Sequence, residues 1–171
     1  DRYITYQKYN ASNVTKSLDR LIDKTQQVRR DVARHSKEID YDLLKKYTGE
    51  QRLSGITLMS PSGDVVQEYK TVDIPDAEVR KEIKREVVLN TAQYELKNYA
   101  ERIETEDGTL VDISAVGRPD QKGVIVCYTV TKAQYAKNYA LSIQSLLEGY
   151  NMHTNGTIII TKEKKLSLIH I

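Results

Sequence analysis

The chain has no tryptophan and no phenylalanine, and its aromatic residues are twelve tyrosines. Every aromatic ring therefore brings a hydroxyl that needs a hydrogen-bond partner when it is buried. A single cysteine, Cys127, excludes an internal disulfide, and its place inside the apolar run "GVIVCYTV" predicts a buried, inert thiol. No run reaches the roughly 18 apolar residues that span a bilayer, and there is no signal peptide. The chain starts at Asp1 rather than Met, so a piece of a longer polypeptide is expected, a reading that permits flanking membrane segments outside it. Neither sign of charge dominates: 26 basic and 24 acidic residues are interspersed, for a net charge of +2. Nucleic-acid surfaces need clustered Lys and Arg, and no such block exists, so no nucleic-acid partner is expected.

Enough apolar mass is present for a core. The 171 residues are 39% hydrophobic and 29% charged, an ordinary globular mixture. The N-terminal segment carries Ile4, Gln7, Ala11, Val14, Leu18, Leu21, Thr25, Val28, Val32, His35 and Ile39 at alternating three- and four-residue steps. That is the repeat of a helix seam that packs against another surface. No Gly or Pro interrupts it before Gly49, so one rod is expected from Val14 to Tyr47, ended by Gly49. Its partners are its own domain in one segment and a second copy of the chain in another. His35 on this seam either sets register or snorkels out as a boundary residue.

Strands are expected at Leu53–Met59 and Asp64–Tyr69, joined by the turn "SPSG". A helix follows near Pro75, started by Asp73, with Val79, Ile83, Val87 and Tyr94 on its inner face. "KNYAERIE", "TLVDISAVGR" and "GVIVCYTV" then form a meander with a hairpin at Asp107–Gly108. Thr131 caps a further helix with Ala136, Tyr139, Ala140, Ile143, Leu146, Leu147 and Tyr150 inward, and "GTIIITKEKKLSLIHI" closes as a hairpin. The fold class is α+β: a long N-terminal helix on a five-stranded antiparallel sheet, with a further helix and hairpin at the C-terminus. The divisions are 1–50 as the long N-terminal helix, 51–131 as the sheet core, and 132–171 as helix plus hairpin. That last part either completes the same domain or begins a second module.

This order, with "GITLMSPSGDVV" and "AERIETEDGTLVDISAVGRPDQKGVIVCYTV", resembles the extracytoplasmic PAS-like sensor domains called Cache or PDC domains. The resemblance implies a domain on the periplasmic or cell-surface face of a bacterial membrane. It implies a parent receptor such as a histidine kinase or diguanylate cyclase, anchored in that membrane, and a homodimer formed through the N-terminal helix. It also implies a small ligand, an amino acid or a carboxylate, held by an aromatic-rich stretch and an Arg. "YELKNYAERIE" offers Tyr94, Tyr99 and Arg102 in that place; the Trp of many such sites is absent, which leaves the ligand open.

Arg102 can grip a carboxylate through two parallel hydrogen bonds, or pair with Glu101 or Glu104 at the surface. Tyr99 and Tyr128 either offer hydroxyls to a ligand or fill the core edge. Asp112 and Ser114 share one face of their strand, which looks toward solvent or toward a pocket. Arg118 reads as a turn charge. His153 and His170 have no Cys or paired carboxylates near them, so no metal site is expected, and nothing calls for a cofactor. Phosphate loops, metalloprotease helices and nucleophile elbows are all missing, so a non-catalytic domain is expected. The rival readings are a dimerisation or protein-interaction module and a cytoplasmic PAS-type regulator.

Overall fold

The apolar seam winds the N-terminal segment into one 33-residue helix, α1 (Arg2–Arg34), about 50 Å long. The computed structural model describes residues 2–72, 86–93, 97–137, 159–162 and 165–170. Val14, Leu18, Leu21, Ile22, Thr25, Val28 and Val32 of α1 are all buried, so from Val14 to Val32 the seam lies on the chain's own sheet.

The rod is not continuous to Tyr47. It stops at Arg34, and after a short irregular stretch α2 (Tyr41–Glu50) begins. Asp40 takes an extended conformation and accepts the Leu43 N–H at 2.8 Å, capping α2. Ile39 keeps its place in the buried set because the chain folds back there: it packs with Leu44, Tyr47 and Leu53. His35 thus lies just past α1, its N–H donating to the Val32 carbonyl. Gly49 is inside α2 and does not end it. The Leu53 N–H donates to the Thr48 carbonyl and the Arg52 N–H to the Gly49 carbonyl, the paired bonds of a Schellman ending. Arg52 occupies the left-handed position, with φ of 53°.

The strands are β1 (Gly55–Met59), β2 (Val65–Lys70), β3 (Asn98–Glu104), β4 (Leu110–Gly117), β5 (Val124–Thr131), β6 (Ile159–Lys162) and β7 (Lys165–His170). All pairings are antiparallel, in the order β2-β1-β5-β4-β3-β7-β6. The first five form the expected sheet. The closing hairpin joins it through β7, which pairs with β3. At Gly55 β2 runs close against β1: a Cβ there would sit 2.6 Å from the Tyr69 carbonyl oxygen. Between β3 and β4, Gly108 has φ of 86°, and Asp107 accepts from the Thr109 N–H and the Thr105 hydroxyl. The Thr105 hydroxyl, then Thr109, hold the Asp107 carboxyl below its ordinary pKa. Arg118 is a turn charge, as its setting suggests. It grips Asp120 through Nε at 3.0 Å and Nη2 at 2.8 Å.

The sheet is one layer with cover on both sides. The face toward α1, here proximal, carries Ile56, Leu58, Ala100, Val116, Ile125 and Cys127. The distal face carries Tyr99, Ile103, Val111, Ile113, Ala115, Val126 and Tyr128. Val88, Leu89 and Ala92 pack on that distal side. Leu89 closes the one-turn helix α3 (Glu86–Leu89), and Ala92 lies in the 3₁₀ turn Asn90–Gln93 that follows it. Helical residues are also described over 133–137, after Lys132, whose carbonyl accepts from the Ala136 N–H. Thr131 belongs to β5 and pairs with Leu110, so it does not cap that helix. The expected helix residues Asp73 to Ile83, Tyr94, and those from Tyr139 to Tyr150 lie outside the described residues. No helix among the described residues is long and apolar enough to cross a membrane.

Candidate ligand-binding face

Alternation along a strand sends neighbouring side chains to opposite faces, and this divides the expected site residues into two groups. Tyr99 and Tyr128 are distal. Arg102 and Asp112 sit directly opposite each other on β3 and β4, on the proximal face. There they bind one another. Arg102 Nε donates to Asp112 Oδ1 at 2.7 Å and Nη2 to Oδ2 at 2.9 Å. The Ser17 hydroxyl of α1 donates to the same Oδ2 at 3.0 Å. The carboxylate side chain is 6% exposed and the guanidinium 18%. The partner of Arg102 is thus Asp112, not Glu101 or Glu104: Glu101 points to the other face and Glu104 to solvent. Asp112 and Ser114 face neither solvent nor a distal pocket. They lie beneath α1, because this sheet is covered on its second face as well.

The distal face holds two polar groups on an apolar floor. At one end the Tyr128 hydroxyl donates to Thr57 Oγ1 at 2.7 Å, and the Thr57 hydroxyl donates to Glu68 Oε2 at 2.7 Å. Lys70 Nζ stands 3.3 Å from Glu68 Oε1. At the other end the Tyr99 hydroxyl donates to Glu101 Oε2 at 2.5 Å. The registers set Glu68, Thr57, Val126, Ala115 and Tyr99 in one row across four neighbouring strand pairs. Gly55, Tyr128, Ile113 and Glu101 form the next row. Ala115, Val126 and Ile113 therefore make the floor between the two hydroxyl–carboxylate groups. Tyr94, the fifth expected residue, lies outside the described residues.

Sequence reasoning missed Thr57, Glu68 and Glu101. The signal for Glu101 was present: it is in phase with Tyr99, two residues earlier on the same strand. Thr57 is the one hydroxyl residue in the wholly buried β1. Buried hydroxyls and carboxylates that bond each other form a set of donors and acceptors whose bonds a small polar molecule can exchange. Cys127 takes no part. It is proximal, and burial pushes its thiol up to about 12 despite a hydrogen bond with Thr25, so it stays protonated and unreactive.

No family model matches this chain, and no curated protein does. Among solved structures, it is similar to an extracellular ligand binding receptor from Desulfohalobium retbaense DSM5692, with a TM-score of 0.45 and 10% identity over 80% of this chain. The chain spans 26% of that receptor.

Proposed function

We propose that this chain is the non-catalytic ligand-sensing domain of a membrane-bound receptor of the Cache or PDC type, on the extracytoplasmic side. Its ligand binds on the distal face, and α1 carries the signal toward an output domain such as a histidine kinase or diguanylate cyclase. The observation that supports this reading is the two-faced sheet. On β3, Glu101 belongs to the distal polar group while the next residue, Arg102, belongs to the tie that holds α1. A ligand that exchanges hydrogen bonds with Tyr99, Glu101, Thr57, Tyr128 or Glu68 moves the strand that α1 rests on. A coupling of about 1–3 kcal/mol suffices for a useful signal, the scale of one or two hydrogen bonds to charged groups. The sheet occupies the seam from Val14 to Val32, so a second copy of the chain would dimerise through α1 outside that stretch.

The test is thermal melting of the chain against a panel of amino acids, amines and carboxylic acids. One member raises the midpoint, and the rise disappears in the double variant Tyr99→Phe, Tyr128→Phe, which keeps both rings and removes both hydroxyls. Silence across the panel would overturn the reading in favour of a protein-interaction module.

A further inference from the structure

Two buried polar atoms lie along the contact between α1 and the sheet without a hydrogen-bond partner: Asn13 Nδ2 and Ser114 Oγ. Ser114 is completely buried. Such orphans are uncommon and need a physical reason. Each stands one step from the bond of Ser17 to Asp112 in this contact. Asn13 is four residues before Ser17, on the same stripe of the helix. Ser114 is two residues after Asp112, on the same face of β4.

The two elements run the same way. Ser17 meets Asp112, and twelve residues on, Arg29 Nε donates to the Gly117 carbonyl at 3.2 Å. Advancing α1 by one turn is a move of about 5.4 Å. The step from Asp112 to Ser114 is about 6.6 Å. One displacement therefore brings the Asn13 amide to Asp112 and the Ser17 hydroxyl to Ser114, so both orphans find partners. Most of the seam tolerates it. Val14, Leu18, Leu21 and Val28 move into the places of Leu18, Ile22, Thr25 and Val32, all buried positions. Four features oppose it. Lys24 enters the place of Val28, Ser17 enters that of Leu21, Val32 leaves its buried place near the end of α1, and the bonds of Gln26 to Asn98, of Arg29 to Gly117 and of the Tyr47 hydroxyl to the Asp31 carbonyl break.

We infer that α1 has a second register on the sheet, one turn toward its own C-terminal end, held by Asn13–Asp112 and Ser17–Ser114 and disfavoured chiefly by Lys24. The helix then moves between two discrete seatings rather than by continuous deformation, as packed interfaces do. This goes beyond the sensing proposal and is tested without any ligand, so either can fail alone.

Spin labels are placed on exposed positions through Arg20→Cys on α1 and Glu104→Cys at the end of β3, with the buried Cys127 left unlabelled. The parent chain gives one dominant distance. Adding Lys24→Leu produces a second population lengthened by about 5 Å. Adding Asn13→Ala and Ser114→Ala to that variant removes it again. Melting profiles confirm that each variant is folded. A folded Lys24→Leu chain with only the parent distance overturns the inference, as does a long-distance population that survives loss of the Asn13 amide and the Ser114 hydroxyl.

Discussion

Asp112 is a carboxylate taken out of water, and Arg102 and Ser17 supply its compensation. Truncating one partner of such a pair leaves the other charge buried, which costs about 3–5 kcal/mol, while replacing both with apolar side chains is neutral or stabilising. Arg102→Ala is therefore expected to lower unfolding stability in urea by that amount, and Arg102→Met with Asp112→Leu to leave it unchanged or raise it. An equal loss in both variants would show that the pair is held for its own stability and not for the seating of α1. Cys127 gives a second test at this scale. A thiol pushed up to about 12 by burial is less than one-hundredth ionised at pH 8. The native chain should resist disulfide reagents at that pH and react fully once unfolded in denaturant.

Element boundaries followed local signals that a long periodic pattern concealed. The steps Val32, His35 and Ile39 continue the helical spacing through a stretch with no Gly or Pro, so the sequence reads as one rod. The break is nonetheless written in Asp40, three residues before the N–H it accepts. Gly49 reads as a helix end because glycine is the usual left-handed residue, yet it lies inside α2. Burial of Leu53 beside Tyr47 and Leu44 fixes the ending instead, and that forces Arg52 into φ of 53°. A non-glycine residue there carries a cost on the order of 1 kcal/mol. Arg52→Gly should raise stability by about 0.5–1 kcal/mol, with a matching rise in the denaturation midpoint, since Arg52 is exposed. Strand existence and the hairpins were legible because alternation and turn residues agree, while the β1–β5 and β3–β7 pairings were not. The face that Asp112 and Ser114 occupy was not legible. Polar residues in phase usually face water, and only the docking of α1 over β3, β4 and β5 shows that they do not.

For the whole molecule, a single sheet separates a distal polar face from a long helix, and each of β3, β4 and β5 contributes to both sides. Nothing thicker than one strand lies between Glu101 and the Arg102–Asp112–Ser17 tie. The five antiparallel strands and the long N-terminal helix could be read from the sequence, but not the strand order or the break after Arg34. That Tyr99 and Arg102, three residues apart on β3, face opposite sides follows from alternation; which of those sides lies under α1 could not be read. The central claim is that an event on the distal face is felt along α1. The most direct measurement is amide hydrogen exchange of α1, with and without the panel compound that raises the melting midpoint. The account predicts altered protection between Val14 and Val32, absent in the Tyr99→Phe, Tyr128→Phe variant. Protection that changes only in the strands, with α1 unaffected by a bound compound, would contradict it.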